Sequence, residues 1–211
     1  MNRLRGLLSR PRRVILHAAA VAAVAFGLVA TSTGAAQAVS LHIDYPVSGT
    51  TYVKGAGSSM PLGPGQLSST LDSDTWTVTA ATSLPDATLK FWTLDLIPVT
   101  AKVQFVEAQP TVGTIDPYTG ALSTTSYFTI KIKQLIVAGI PQLIGDSCQT
   151  ESPAVIPLTS GADWGVIKGG TLSGTYTIPN FHNCILEAPL INLIVPGAGN
   201  TISLLLGPAE S

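Results

Sequence analysis

Gly174-Thr175-Tyr176-Thr177-Ile178-Pro179-Asn180-Phe181-His182-Asn183-Cys184 carries the most regular alternation in the chain. Together with Thr171, Leu172 and Ser173 it puts Leu172, Gly174, Tyr176 and Ile178 on one side and Thr171, Ser173, Thr175 and Thr177 on the other. Successive side chains of an extended backbone point to opposite faces, so this period of two predicts a strand with one dry and one wet face. Cys184 ends the stretch. Its only possible partner, Cys148, stands upstream in the turn cluster Gly145-Asp146-Ser147-Cys148-Gln149-Thr150-Glu151-Ser152-Pro153.

The same period recurs in both directions from this segment. Trp76, Val78 and Ala80 alternate with Thr75, Thr77 and Thr79. Leu89 and Phe91 face inward within Ala87–Leu96, and Val99, Ala101, Val103 and Phe105 alternate with Thr100, Lys102 and Gln104. Phe128, Ile130 and Ile132 alternate with Thr129, Lys131 and Lys133. Shorter strands are expected at Ala154–Leu158, Trp164–Lys168 and Thr201–Leu206, while Leu135–Gly145, broken by Gly139 and Pro141, is read as a crossing between sheets. Pro189 suits the first position of a short helix near residues 189–195, which Pro196-Gly197 ends.

No long stretch shows a helical period, and β-branched residues with Gly and Pro turns dominate. The class is all-β. The expected architecture is an antiparallel two-sheet sandwich, Greek-key or immunoglobulin-like, with a closed β-barrel as the alternative. Residues 39–68, crowded with Gly55, Gly57, Pro61, Gly63, Pro64 and Gly65, are expected to be an irregular segment with one edge strand near Thr51–Lys54. Residues 69–211 are expected to be a single disulfide-closed β domain.

Thr70-Leu71-Asp72-Ser73-Asp74-Thr75 and Thr114-Ile115-Asp116-Pro117-Tyr118-Thr119 share one pattern of Thr, apolar residue, Asp and a later Thr. Turn chemistry explains it more simply than duplication: Asp caps, Pro sets φ and Gly120 takes positive φ.

Ahead of all this lies a leader. Arg3, Arg5, Arg10, Arg12 and Arg13 precede an apolar run from Val14 to Ala30, and Ala36-Gln37-Ala38 follows. A basic start, an apolar centre and an A-x-A site describe a secretory signal peptide over residues 1–38, cleaved after Ala38. A retained membrane anchor is the alternative, and Arg12-Arg13 leaves twin-arginine export open beside the general route. Cleavage removes every arginine and leaves six lysines against twelve acids, a net charge of about −6. Such a chain lacks the arginine forks and basic patches that bind nucleic acid. As a whole it is not polybasic toward anionic lipid. No integral membrane segment is expected after cleavage.

An exported chain with two cysteines pairs them, because the compartment is oxidising. A metal site would need more ligands than the neighbouring His182 supplies. Loop-closure entropy makes the Cys148–Cys184 bridge worth roughly 3 to 4 kcal/mol.

Gly145-Asp146-Ser147-Cys148, the Gly174–Cys184 stretch, Pro196-Gly197-Ala198-Gly199-Asn200-Thr201 and Pro98-Val99-Thr100-Ala101-Lys102-Val103-Gln104-Phe105-Val106 resemble a family of small secreted actinobacterial proteins. The resemblance covers most of residues 69–206. It implies an exported all-β domain with one disulfide, of no assigned function, and carries over no catalytic residues.

Signs of chemistry are sparse. Gly145-Asp146-Ser147 echoes a serine-protease nucleophile turn, but Cys148 stands where such enzymes need Gly, and His42 and His182 are the only histidines left after cleavage. Asp72 and Asp74 flank a turn, and Glu107, Glu151 and Glu187 are isolated, so no pair is set across a cleft for glycoside hydrolysis. A calcium site at Asp72, Asp74 or Asp116 lacks EF-hand spacing. No metal centre and no cofactor is expected.

Apolar surplus remains at Leu190, Ile191, Leu193, Ile194, Leu204 and Leu206, with Trp76, Trp92 and Trp164 as large faces. These residues read as core or as a surface for a lipid or other apolar ligand. The expectation is therefore a secreted, non-catalytic extracellular or envelope-associated module for interaction or structure. The alternative is a carrier of an apolar ligand, and an enzyme of unfamiliar design stands third.

Overall fold

The computed structural model describes residues 39–185 and 188–210. The leader expected over residues 1–38, with its motif at Ala36 and Ala38, lies outside the described residues. In chain order the elements are β1 (Ser40–Val53), β2 (Ser58–Asp72), β3 (Thr77–Ser83), β4 (Ala87–Thr93), β5 (Ile97–Ile115), β6 (Leu122–Val137), β7 (Ile140–Pro141), β8 (Gln149–Thr150), β9 (Ala154–Ser160), β10 (Gly170–Ile178), β11 (Phe181–His182), α1 (Ala188–Ile194) and β12 (Gly197–Leu206).

Eight of these strands form a closed antiparallel barrel in the order β6-β9-β10-β12-β1-β2-β3-β5, and β5 returns to β6. The barrel anticipated as the alternative is the architecture found. Inward and outward positions alternate identically in a sandwich and a barrel, so local pattern does not separate them. The return pairing does: β5 and β6 run together from Ile115↔Leu122 at one end to Val99↔Val137 at the other.

Both of these strands are longer than the barrel. β3 pairs with β5 only from Thr111 to Thr114, and β4 takes over beside Ile97–Val103. On the other side β9 pairs with Ser123–Phe128 of β6, and β8 takes over at Lys131. Register shifts at Lys102/Val103, Glu107/Gln109 and Gln109/Val112 supply the bend between the two regions. The interior is correspondingly in two parts. Ile43, Tyr45, Leu67, Ile156, Leu204 and Leu206 fill the barrel; Val53, Met60, Leu89, Phe91, Ile132 and Ile191 fill the extension, and Phe105 serves both.

Closure demands close backbone approach at the corners. A Cβ on Gly174 would lie 1.9 Å from the Pro157 carbonyl oxygen, and one on Gly49 would lie 2.2 Å from that of Ser203. At the junction of the two cores, Asn200 is 1 % exposed. Its amide donates to the Tyr176 and Gly197 carbonyls at 3.2 and 2.7 Å, and its oxygen accepts the Lys54 N–H at 3.0 Å.

Residues 39–68 depart most from expectation. They are not irregular: β1 and β2 form a long hairpin from Ser40↔Asp72 to Val53↔Ser58. The register skips between Val47↔Gly65 and Gly49↔Leu62, so Gly63 and Pro64 lie in a bulge. A proline without an N–H is tolerated there, and glycines and prolines masked the alternation of Ile43, Tyr45 and Val47. The all-β unit therefore begins well before residue 69. Trp164–Lys168 is not a strand but part of a loop bridged at Gly165↔Gly169. Leu135–Gly145 does not cross sheets; β6 runs to Val137 and turns back through Ala138-Gly139 into β7. Trp76, placed inward by alternation, sits in the β2–β3 turn with φ 55° and is 39 % exposed. The helix expected near residues 189–195 is α1.

Gly174→Ala is expected to lower stability by about 1 to 3 kcal/mol through overpacking at the barrel corner. Chemical denaturation of the two proteins, compared at unchanged slope, measures it.

Candidate functional site

The six residues expected to form an apolar ligand surface do not form one surface. Leu204 and Leu206 point into the barrel and are buried, because they hold alternate inward positions of β12. Ile191 is buried and Ile194 half-buried against the second core, with Leu190 at its margin. Leu193, on the opposite side of α1, is 83 % exposed. A short helix shows one stripe to the core, whereas sequence proximity had grouped all its apolar residues.

The barrel interior holds a void of about 50 Å³ lined almost wholly by apolar side chains. A second void of about 50 Å³ lies beneath α1. Sites for drug-sized ligands occupy about 300–1,000 Å³, so neither void is a preformed lipid chamber. The barrel mouth is filled by the 161–169 loop. Trp164 packs on Tyr45 at 6.0 Å between ring centroids, and the Tyr45 hydroxyl donates to the Val166 carbonyl. Burial pushes the Tyr45 phenol up to about 12.

The polar candidates are dispersed. His42 lies on β1, exposed, with Nε2 3.5 Å from Asp44 and Nδ1 3.5 Å from the Thr70 hydroxyl. His182 lies on β11, exposed. Glu107 accepts the Thr82 N–H at 3.1 Å from the bulged part of β5. Asp146 and Ser147 are exposed in the turn before the disulfide.

The acids of the repeated pattern have local work. Asp72 accepts the N–H groups of Asp74 and Thr75 at 2.9 and 3.0 Å, and Asp116 those of Tyr118 and Thr119 at 2.8 and 2.9 Å. The shared spacing is the one that an Asp-capped turn needs. The N–H of Thr75, then that of Asp74, holds the Asp72 carboxyl below its ordinary value. The N–H groups of Thr119 and Tyr118 do the same for Asp116. Asp163 is lowered first by the Thr171 hydroxyl, which donates at 2.8 Å.

Cys148 and Cys184 are joined, with Cα atoms 4.3 Å apart. The bridge flanks the small β8–β11 ladder, Thr150↔Phe181 and Gln149↔His182, and so holds the chain leading into α1 against β6.

Two surface features were missed by sequence reasoning. Thr50, Ser203 and Ser173 stand in one cross-strand row and Tyr52, Thr201 and Thr175 in the next. They line an open, hydroxyl-rich depression of about 610 Å³ on the barrel wall. It offers hydrogen-bond donors, acceptors and one ring face, without charge.

The second is a group of apolar hairpin tips. Trp92, Leu94 and Leu96 around the β4–β5 turn are 63, 81 and 79 % exposed, and Ile140 and Leu143 beyond the β6–β7 turn are 64 and 74 % exposed. Alternation extends the strand Ala87–Leu96 to Leu96, whereas β4 ends at Thr93 and the chain turns at Leu94–Leu96. The usable signal was that Thr93-Leu94-Asp95-Leu96 lies between two runs that must pair with each other, and so has to turn.

No family model, no curated protein and no solved structure matches the chain.

Replacing both Cys148 and Cys184 with Ala is expected to lower stability by roughly 3 to 4 kcal/mol, read by denaturation against the oxidised parent. A second expectation concerns acid. Carboxyls held low in the folded state stabilise it above their unfolded value, and that stability is lost as pH falls below about 4. Asp72→Asn with Asp116→Asn keeps the accepting oxygens but removes the titration. Thermal unfolding of the double variant should therefore fall less steeply between neutral pH and pH ~3 than that of the parent.

Proposed function

We propose that this protein is an exported, non-catalytic module that works through its outer surface, in the extracellular space or associated with the cell envelope. The observation that carries the reading is the interior. A closed barrel and its extension are filled by their own side chains, with voids of about 50 Å³ each. Asp72 and Asp116 cap turns, Glu107 holds the Thr82 N–H, and His42 and His182 stand on different strands. The disulfide is compatible with an oxidising compartment. Among the described residues no helix is long and apolar enough to cross a membrane. The leader-like start and the resemblance to small secreted actinobacterial proteins support the same reading.

The carrier reading draws on one observation: Leu190, Ile191 and Ile194 of α1 line the second void. Occupation would require the helix to move, since the space beneath it is far smaller than a lipid chain needs.

Native mass spectrometry of the protein recovered from its own host separates these readings. The expected result is a chain beginning at Val39, two hydrogens lighter than the reduced mass, with no ligand. A co-purifying mass of lipid size, lost on denaturation, would replace the interaction module with the carrier. An uncleaved chain would remove the export reading.

A further inference from the structure

Five of the exposed large apolar residues, Trp92, Leu94, Leu96, Ile140 and Leu143, stand together, apart from others such as Trp76, Tyr118 and Ile167. Trp92 pairs with Pro98 across the β4–β5 hairpin, and the Pro98 carbonyl accepts the Ala138 N–H at 2.9 Å. The β4–β5 and β6–β7 turns are therefore neighbouring tips at one end of the molecule. Leu94, Asp95 and Ala138 hold φ of 52°, 55° and 49° there, a conformation that costs non-glycine residues and that Asn-Gly would adopt more easily. Large apolar side chains thus stand in or beside tight turns and are exposed to solvent.

Charge is arranged around them. Lys90 lies two residues behind Trp92 on the same outward face of β4, and Lys133 lies further back on β6, level with the Lys102/Val103 shift of β5. Lys54 sits in the turn at the same end of the β1–β2 hairpin, close to β4 through the Ser58 hydroxyl bond to the Lys90 carbonyl at 2.6 Å. Lys102 is paired with Asp86 at 3.1 Å and contributes no net charge. Asp95 is the one acid within residues 92–98. The opposite end is acidic on balance: Asp72, Asp74, Asp116 and Asp163 lie in turns and loops joined through Thr77↔Thr114 and the Leu122 N–H bond to the Ser160 hydroxyl, with Lys168 beside Asp163. The chain's overall acidity conceals this polarity.

We propose that the Trp92–Leu96 and Ile140–Leu143 tips dock on the surface of an anionic lipid bilayer, with Lys54 and Lys90 nearest the headgroups. The proposal rests on the reading of the protein as an exported surface-acting module and names its partner. Two narrow, protruding tips match an interface that they can enter. They offer little of the broad complementary area, about 800 Å² per side, that a stable protein interface needs. Trp, Leu and Ile on the tips with lysines behind them is the distribution that peripheral lipid anchors show. A headgroup layer also draws the basic end in and turns the acidic end away.

The test is flotation of the full mature chain with phosphatidylcholine vesicles, with and without phosphatidylglycerol. The parent is expected to float with the anionic vesicles and to release as salt rises. Leu94→Asp with Leu96→Asp should lower partitioning by more than about tenfold, with unchanged thermal unfolding. Leu205→Asp, at an exposed position on β12 away from the tips, should not, and Asp95→Asn should strengthen binding. Equal binding of the tip and β12 variants, or no binding of the parent to either vesicle, overturns the proposal. Equal binding to phosphatidylcholine alone overturns the role of the lysines. If vesicles fail but the tip variant still leaves the host envelope fraction, a protein partner replaces the bilayer and the interaction module stands. A ligand-loaded parent that ignores both would end the module reading itself.

Discussion

The pairing of β5 with β6 is the constraint on which the rest of this structure depends. It turns an open ribbon of strands into a ring and leaves the barrel without edges. The same two strands run on past the ring and carry β4 and β8 on their flanks, so one hairpin organises both cores. Its register shifts let long strands bend from one core to the other without losing their hydrogen bonds for more than a residue or two. Phe105 sits where the cores meet and packs edge-on against Phe128 at 6.1 Å.

The junction is secured by polar groups that are buried and satisfied. Thr51, wholly buried, shares a 2.8 Å hydrogen bond with the Tyr176 hydroxyl and donates to the Thr201 carbonyl at 2.9 Å. Asn200 ties the β1–β2 turn to β10 and β12. Burial raises the Tyr176 phenol, and the Thr51 bond partly offsets it. Buried polar atoms favour the one arrangement in which each finds its partner. These bonds add to the register already imposed by the buried face, since a one-residue slip would turn every inward side chain outward. The disulfide does comparable work outside the ring, where β8 and β11 are too short to hold themselves.

The outer surface follows from the inner one. Because the apolar positions of β1, β10 and β12 are turned inward, Thr50, Tyr52, Ser173, Thr175, Thr201 and Ser203 between them line the outer wall. This is the reverse of the alternation that a membrane-spanning barrel presents to lipid. Apolar side chains reach solvent in number at the hairpin tips, where no inward face exists. The two ends differ in charge: one has acids in its turns, beside Trp76 and Tyr118, and the other carries Trp92, Leu94 and Leu96 near Lys90.

Strand identity was legible because period-two alternation is a local property. Leu89, Phe91, Val99–Phe105, Phe128–Ile132 and Leu172–Ile178 face inward as their spacing requires. The cysteine pair was legible because the chain offers one pairing. Residues 39–68 were not, since Gly63 and Pro64 break the period at a bulge that only the partner strand defines. Nor was the candidate apolar site, because burial of Leu204 and exposure of Leu193 depend on which neighbour each element meets. Sequence by itself determined an all-β chain, most of its inward faces, its capped turns and its single bridge. Tertiary structure alone decided that the sheet closes, that its interior is full, and that apolar tips and lysines share one end. The reason is physical: alternation is set within a few residues of backbone, whereas closure and surface polarity are set by pairings between residues far apart in the chain.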